Sequence, residues 1–379
     1  MKTWLITLLV AGGIIAGGAG YLAFTFQKPS FGVIDKGDWG QVNDQTIKIN
    51  STVWLDNPNV IGLPLGFVHA GYAANANNIT LAEGDINGIN IETGNQTKSF
   101  TTTVEQGKIP DWWVSHLKNG EKSTITATVN VDLPLGSFKT QAFRKNIQTN
   151  ITNRIEKSLA SLEGTYKGPG IQRSAGPITA TVRPEIQVKD FKVSWGKITS
   201  KKSNILMDVT LYNPNAYPIP TPSFAGNAKL NNVTVADWNA NPQALTDLPE
   251  DGMIPPKQST DVRFKASLLN QKMDEWFETH VKRGEHTKGR IRANLVFDFE
   301  GRQFKVPAGG ILCKMNIQTA VLVDNQKNKF ENKGCKPRLE GYSSLPTGTG
   351  DNNTSTSIGN QSLPDNTTKQ DLLNSGALQ

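Results

Sequence analysis

Cysteine and histidine are scarce in this chain, with two and four residues among 379. Cys313 and Cys335 form no CxxC pair, and no set of His69, His116, His280, His286 and the carboxylates has metal-ligand spacing. That pattern predicts no metal site. A Gly-X-Ser-X-Gly elbow, a His-Glu-X-X-His helix and a phosphate loop are also missing. Gly284 and Gly289 enclose four residues, but Arg290-Ile291 follows where a phosphate loop needs lysine and then serine or threonine. Charged residues make up only 19% of the chain, and the net charge of +7 reads as ordinary solubility. No nucleic-acid module is visible. Neither catalytic residues, a cofactor, a nucleic-acid partner nor a small-molecule substrate is expected.

Long apolar runs are lacking, with one exception at the start. Residues 3–26 carry no charge behind a single Lys2. Twenty-four such residues can span a bilayer, whereas the apolar core of a signal peptide is usually about 7–15 residues long. A single-pass transmembrane anchor over residues 1–27 is expected, with the bulk of the chain outside the cell membrane. Small residues near 16–20 leave a cleaved signal peptide as the alternative, and either way the body is exported. In that setting the cysteine pair suggests a disulfide between Cys313 and Cys335, with a pair of free thiols as the alternative.

What the chain does have, it has twice. Trp39-Gly40, Asn57-Pro58-Asn59 and Pro64 return 156 residues on as Trp195-Gly196, Asn213-Pro214-Asn215 and Pro220. Such a self-match marks an internal duplication. Ile47, Ile49, Val53 and Leu55 alternate with polar residues, as a strand with one buried face does. Asn-Pro-Asn then ends that strand, because proline donates no ladder bond and asparagine tolerates turn geometry. Asn77-Asn78 and Asn231-Asn232 read as hairpin turns. One short helix per copy follows, Asp111–Glu121 and Glu275–Glu285, with an acid at its start, a base in its last turn and glycine beyond. Trp113 and Leu117, like Phe277 and Val281, are placed to pack on a sheet. The pairs Trp112-Trp113 and Trp276-Phe277 suit core packing better than a binding ledge. Long alternating strands then run from Thr124 and from Arg290, and Asn146–Thr149 and Asn316–Thr319 close each copy.

The fold class this predicts is all-β with a short helix per repeat: two tandem β-sandwiches of immunoglobulin or fibronectin-III type behind a transmembrane helix. The domains fall at 1–27 (anchor), 28–151 (first sandwich), 152–183 (helix and glycine-rich connector), 184–325 (second sandwich) and 326–379 (disordered polar tail). In the connector, Asn153 and Glu156 resemble a capping box. The basic residues Lys282, Arg283, Lys288, Arg290, Arg292, Arg302 and Lys305 read as a solvated face rather than a lipid-headgroup site. Nine Asn-X-Ser/Thr sequons make glycosylation possible, at Asn78 and Asn232 in equivalent turns and at Asn353, Asn360 and Asn366 in the tail.

On the Asn-Pro-Asn strand end, the Trp-Gly start, the stretch Leu81–Gly84 and the helix-to-strand half, both copies resemble the late embryogenesis abundant type 2 family, the WHy (water stress and hypersensitive response) domain. The resemblance covers about residues 31–150 and 184–325. The second copy departs from it at Ala236-Asp237-Trp238, where the glycine matching Gly84 is missing. It implies a compact sandwich without enzymatic activity, acting in tolerance of drying, cold or osmotic stress. It carries over no catalytic or ligand-binding residue. The expected partners are the membrane, crossed once, and other envelope proteins or a lipid surface. The alternative is a structural or adhesive envelope protein in which the two sandwiches serve as a spacer or binding module.

Overall fold

A computed structural model describes residues 27, 29–60, 62, 69–86, 91–133, 136–175, 177–240, 252–299, 301–319, 322 and 329–337. The expected anchor, Pro64 and the sequons at Asn353, Asn360 and Asn366 lie outside the described residues, Gln27 apart. Among the described residues no helix is long and apolar enough to cross a membrane.

Strand accounts for most of the first copy. In order come β1 (Ser30–Val42), β2 (Thr46–Asn57), β3 (His69–Ala76), β4 (Ile79–Ile86) and β5 (Gly94–Glu105). The helix α1 (Ile109–Lys118) leads to β6 (Lys122–Leu133) and β7 (Gly136–Gln148). Two antiparallel sheets result, ordered β1-β2-β5 and β4-β3-β6-β7. The stretch before Trp39 pairs as the first half of β1, with Ser30 opposite Asp56. Trp39-Gly40 itself marks an irregularity in the ladder, because the register shifts between Trp39 and Val42. Trp195-Gly196 does the same before Ile198. A Cβ at Gly196 would come within 3.0 Å of Leu206, so glycine lets the bulged strand lie close to its partner.

The connector belongs to the second copy. Helix α2 (Ile151–Leu159) and the strands β8 (Gly164–Lys167), β9 (Ile171–Ala175) and β10 (Ile178–Val182) fill residues 151–182. Leu159, Leu162 and Ile171 are buried in the second core, where Ile155 packs beside them. β8 adds an edge strand by pairing with β11 (Glu185–Ile198). No capping box forms, since Asn150 takes the N-cap with a left-handed backbone and without a side-chain cap bond. Glu156 instead accepts the Val193 amide at 2.9 Å.

The second copy continues with β12 (Lys202–Tyr212), β13 (Ile219–Pro220), β14 (Ser223–Leu230), β15 (Val233–Ala240), β16 (Met253–Ile254) and β17 (Ser259–Leu269). Helix α3 (Met273–Lys282), β18 (His286–Phe299), β19 (Arg302–Gln318) and β20 (Lys329–Pro337) complete it. Pro220 sits, extended, in a two-stranded sheet of β13 and β16. The main sheet runs β20-β19-β18-β14-β15-β17-β12-β11-β8. Its inner seven strands repeat the two sheets of the first copy in order, joined by one bridge between Ala236 and Leu268. Strand order thus carries the duplication into three dimensions.

The second copy reaches past residue 325, where the polar tail was expected to begin. β20 pairs with β19 in a register that sets Cys313 opposite Cys335, and a disulfide joins them. Both sulfurs are buried, in a core that also stacks Phe297 and Phe299 on Phe304. A second apolar cluster draws on both copies, with Ile47, Ala82, Val104, Ile109, Trp113 and Leu117 meeting Val233, Val235, Leu268, Met273, Trp276 and Val281. The helices pack on strands of their own copies, as expected of Trp113, Leu117 and Val281, and their apolar faces also meet in this shared core.

Candidate functional site: a duplicated polar relay between the copies

Helices α1 and α3 end in the same unusual way. Gly120 and Gly284 turn left-handed at φ 66° and 63°, and the next residue follows at φ 62° in both copies. That residue is a glutamate, Glu121 or Glu285, for which the left-handed region costs on the order of 1 kcal/mol. The turn aims the carboxylate inward, leaving Glu121 4% and Glu285 1% exposed. A buried carboxylate must be hydrogen-bonded.

Behind each glutamate runs a line of polar groups. In the first copy, the Trp112 indole N–H donates to Ser123 Oγ at 2.9 Å, and Ser123 Oγ lies 2.8 Å from His116 Nδ1. His116 Nε2 lies 2.9 Å from Thr149 Oγ1, which donates to Glu121 Oε2 at 2.9 Å. Because the threonine proton goes to the carboxylate, Nε2 carries the ring's hydrogen and Nδ1 accepts from the serine. The second copy repeats every step. Trp276 donates to Thr287 at 3.0 Å, Thr287 meets His280 Nδ1 at 2.8 Å, His280 Nε2 meets Thr319 at 2.8 Å, and Thr319 donates to Glu285 Oε2 at 2.7 Å.

The two lines end on each other's copy. Trp39 of the first donates its indole N–H to Glu285 Oε1 at 2.9 Å, and Trp195 of the second donates to Glu121 Oε1 at 2.8 Å. This exchange is the signature of an isologous, two-fold contact, here between halves of one chain. The aromatic rings follow the same rule. Trp112 meets Phe277 edge to face with centroids 6.0 Å apart, and the equivalent pair, Trp276 with Trp113, stands at 5.9 Å. Glu121 also accepts the Thr152 amide at 3.2 Å and, more closely, that of Ile151, capping α2. Leu322 donates its amide to Glu285 at 2.7 Å.

Burial sets the protonation states. Desolvation lowers the pKa of each imidazole from 6.5 to about 4, outweighing Glu121 near His116 and Glu285 near His280. Burial by itself would raise the Glu121 pKa, but hydrogen bonds from Ile151, Trp195, Thr152 and Thr149 hold it below the usual value. Near neutral pH both histidines are therefore neutral, and Glu121 beside His116 is ionised. Every described polar atom in the lines is engaged, so the arrangement orients and fastens rather than offering a free base or nucleophile. Among the described residues no cluster of three histidine, cysteine or acidic groups could hold a metal.

Of the residues singled out in the sequence, Trp39, Trp112, His116, Trp195, Trp276 and His280 enter this site. The two Asn-Pro-Asn motifs lie elsewhere and act as clasps. Asn59 binds the backbone of Gln27 in both directions at 2.7 Å, while its amide meets Asn57 Oδ1 at 2.7 Å. Asn215 holds Glu185 in the same manner, donating at 2.6 Å and accepting at 3.1 Å, and also meets Asn213 at 2.7 Å. Each motif thereby adds one side-chain rung where a ladder would otherwise end. Asn78 and Asn232 are exposed at turns with φ of 68° and 75°. The sequence reading passed over Glu121, Glu285, Ser123, Thr287, Thr149 and Thr319. Their signal was present, since each recurs in kind at the repeat position, but a hydroxyl or a glutamate carries no motif of its own.

No protein-family model and no curated protein matches the chain. Among solved structures, a crystal structure of a protein from Archaeoglobus fulgidus is similar over 35% of this chain and 98% of its own, at 22% identity and a TM-score of 0.31. The solution structure of an Arabidopsis thaliana protein is similar over 33% and 84%, at 15% identity and a TM-score of 0.25. Red sea bream transglutaminase covers 73% of this chain with 29% of its own length, at 12% identity and a TM-score of 0.18.

Proposed function

We propose that this chain is a non-enzymatic, membrane-anchored and exported protein of the late embryogenesis abundant type 2 class, acting in tolerance of drying or osmotic stress. In this reading each copy is an immunoglobulin- or fibronectin-III-like sandwich, the first carried next to the bilayer by the uncharged run that ends just before Gln27. Asn78 and Asn232 are its glycan sites. The relay fastens the copies, which leaves the outer sheet faces as the working surface.

The observation that carries the reading is the outward face of β2 and β5. There Asn50 lies opposite Thr101, Thr52 opposite Ser99 and Trp54 opposite Thr97. Thr101 donates to Asn50 at 2.9 Å and Thr52 meets Ser99 at 3.3 Å, both pairs at the surface. Such neutral hydroxyl and amide rows can exchange hydrogen bonds with water for hydrogen bonds with a drying membrane or protein. The corresponding rows of the second copy are charged, with Arg263 bound to Asp208 at 2.6 Å and Thr210 to Asp261 at 2.6 Å.

The test is to dry a labile dehydrogenase with the detergent-solubilised full chain and to measure recovered activity. Recovery is expected to exceed that with an inert protein of equal mass. It should fall when Asn50→Ala, Ser99→Ala and Thr101→Val are combined, changes to surface side chains that leave the fold intact. Equal recovery with the inert protein, or with the triple variant, refutes the reading.

A further inference from the structure

The same module, used twice, is packed to different degrees. In the second copy Phe224 stacks on Trp238 and lies 4.9 Å from Phe264, with Met207, Leu159 and Leu162 around them. The space left there is about 20 Å³. In the first copy a cavity of about 150 Å³ lies between the two sheets. The repeat register explains the difference. Ala70 stands where the second copy has Phe224, Gly84 where it has Trp238, and Ser51 where it has Met207. Tyr72 covers Gly84 from the neighbouring strand, its hydroxyl 3.0 Å from where a Cβ would sit, but its ring does not replace both lost aromatics.

The lining is predominantly apolar, with no charged residue or histidine among its members. Trp39, Tyr72, Phe100, Trp112, Phe143 and Phe277 supply the aromatic walls. The indole N–H groups of Trp39 and Trp112 are already committed to Glu285 and Ser123, so these side chains offer the cavity only their rings. The other polar side chains of the lining are the hydroxyls of Ser51, Tyr72, Thr102 and Thr128. A site like this is too apolar to hold ordered water, and a cavity of about 150 Å³ with such walls accepts a molecule the size of benzene.

We propose that the interior of the first copy binds the uncharged end of a medium-length acyl chain, on the order of six carbons entering the cavity, by the benzene comparison. The carboxylate or headgroup stays outside, because no group in the lining would neutralise it. The cavity is independent of the outward face of β2 and β5, so this site stands whether or not the chain protects a drying enzyme.

The experiment uses the detergent-free full chain in nanodiscs and 8-bromooctanoate, whose terminal bromine quenches tryptophan on contact. Saturable quenching is expected, because Trp39 and Trp112 line the site. Octanoate and a short-chain lysophospholipid below its micelle concentration are added as separate competitors, so that displacement by the first alone identifies a free acid and displacement by both a lipid chain. Ser51→Met and, separately, Ala127→Ile give the cavity the residues of the second copy, Met207 and Ile291. Each should weaken quenching at least tenfold while the circular dichroism spectrum is retained. If one variant fails to fold, the other decides. A diazirine-labelled octanoate should attach to peptides of β2 to β7. Absence of saturable quenching, unchanged affinity in a folded filling variant, or label confined to other strands overturns the proposal.

Discussion

Acid should loosen this protein well before its carboxylates titrate. In the folded chain His116 and His280 keep a proton only below about pH 4, whereas unfolded they do so below about 6.5. Between those values the unfolded state binds more protons, so stability rises with pH. The contribution is present in full above about 6.5 and is lost as pH falls toward 4. Fully developed, a gap of that width is worth about 3 kcal/mol per ring; at pH 5, partway through it, each ring forfeits about 2 kcal/mol. Together they should cost about 4 kcal/mol, a large share of the roughly 5–15 kcal/mol a folded domain has. Urea unfolding followed by tryptophan fluorescence at pH 7.5 and pH 5 measures it directly. Glu121, Asp208 and Glu331, whose pKa values are lowered, lose their contribution only below the usual carboxylate range. At pH 5 the histidines are therefore read nearly alone. The geometry adds a reason for the penalty: a second ring hydrogen at His116 Nδ1 would face Ser123 Oγ, which already accepts from Trp112 and from Asn77 at 3.1 Å. A loss under about 1 kcal/mol at pH 5, or the same loss in a folded His116→Gln/His280→Gln variant, would refute the argument.

Replacing Trp195 with Phe leaves Glu121 without its cross-copy donor and should cost about 1.5–3 kcal/mol, the range for a hydrogen bond to a buried charge. Trp39→Phe should cost a similar amount through Glu285, and chemical denaturation of both variants tests the two-fold equivalence. Gly226→Ala would set a Cβ 2.2 Å from the Arg292 carbonyl oxygen and 2.5 Å from Trp238, so a loss of about 3 kcal/mol is expected. Gly84→Ala meets only the Tyr72 ring at 3.0 Å or more and should cost about 1 kcal/mol, which thermal melts of the pair would separate.

Much of the strand pattern could be read from the chain because its causes are local. The alternation of Ile47, Ile49, Val53 and Leu55, the Asn-Asn turns and the glycine after each helix act within a few residues. What escaped reading was what local pattern does not encode. Residues 151–182 carry helix and strand signals but nothing to say whose core they join. The polar composition around residues 326–337 looks unfolded, yet β20 is held by pairing with β19 and by the bond from its Cys335 to Cys313. The stretch before Trp39 has little apolar alternation, and becomes strand because β2 offers it a free edge.

The order of residues, repeated, determined by itself that one module occurs twice, where its helix and several of its strands fall, and which tryptophans recur. A period can be seen without knowing what touches what. Only the folded chain decided that the helices face one another, that Trp39 reaches across to Glu285 while Trp195 reaches back to Glu121, and that one copy is filled where the other is hollow. Those outcomes depend on contacts between residues far apart in sequence, and on volumes that no single strand contains.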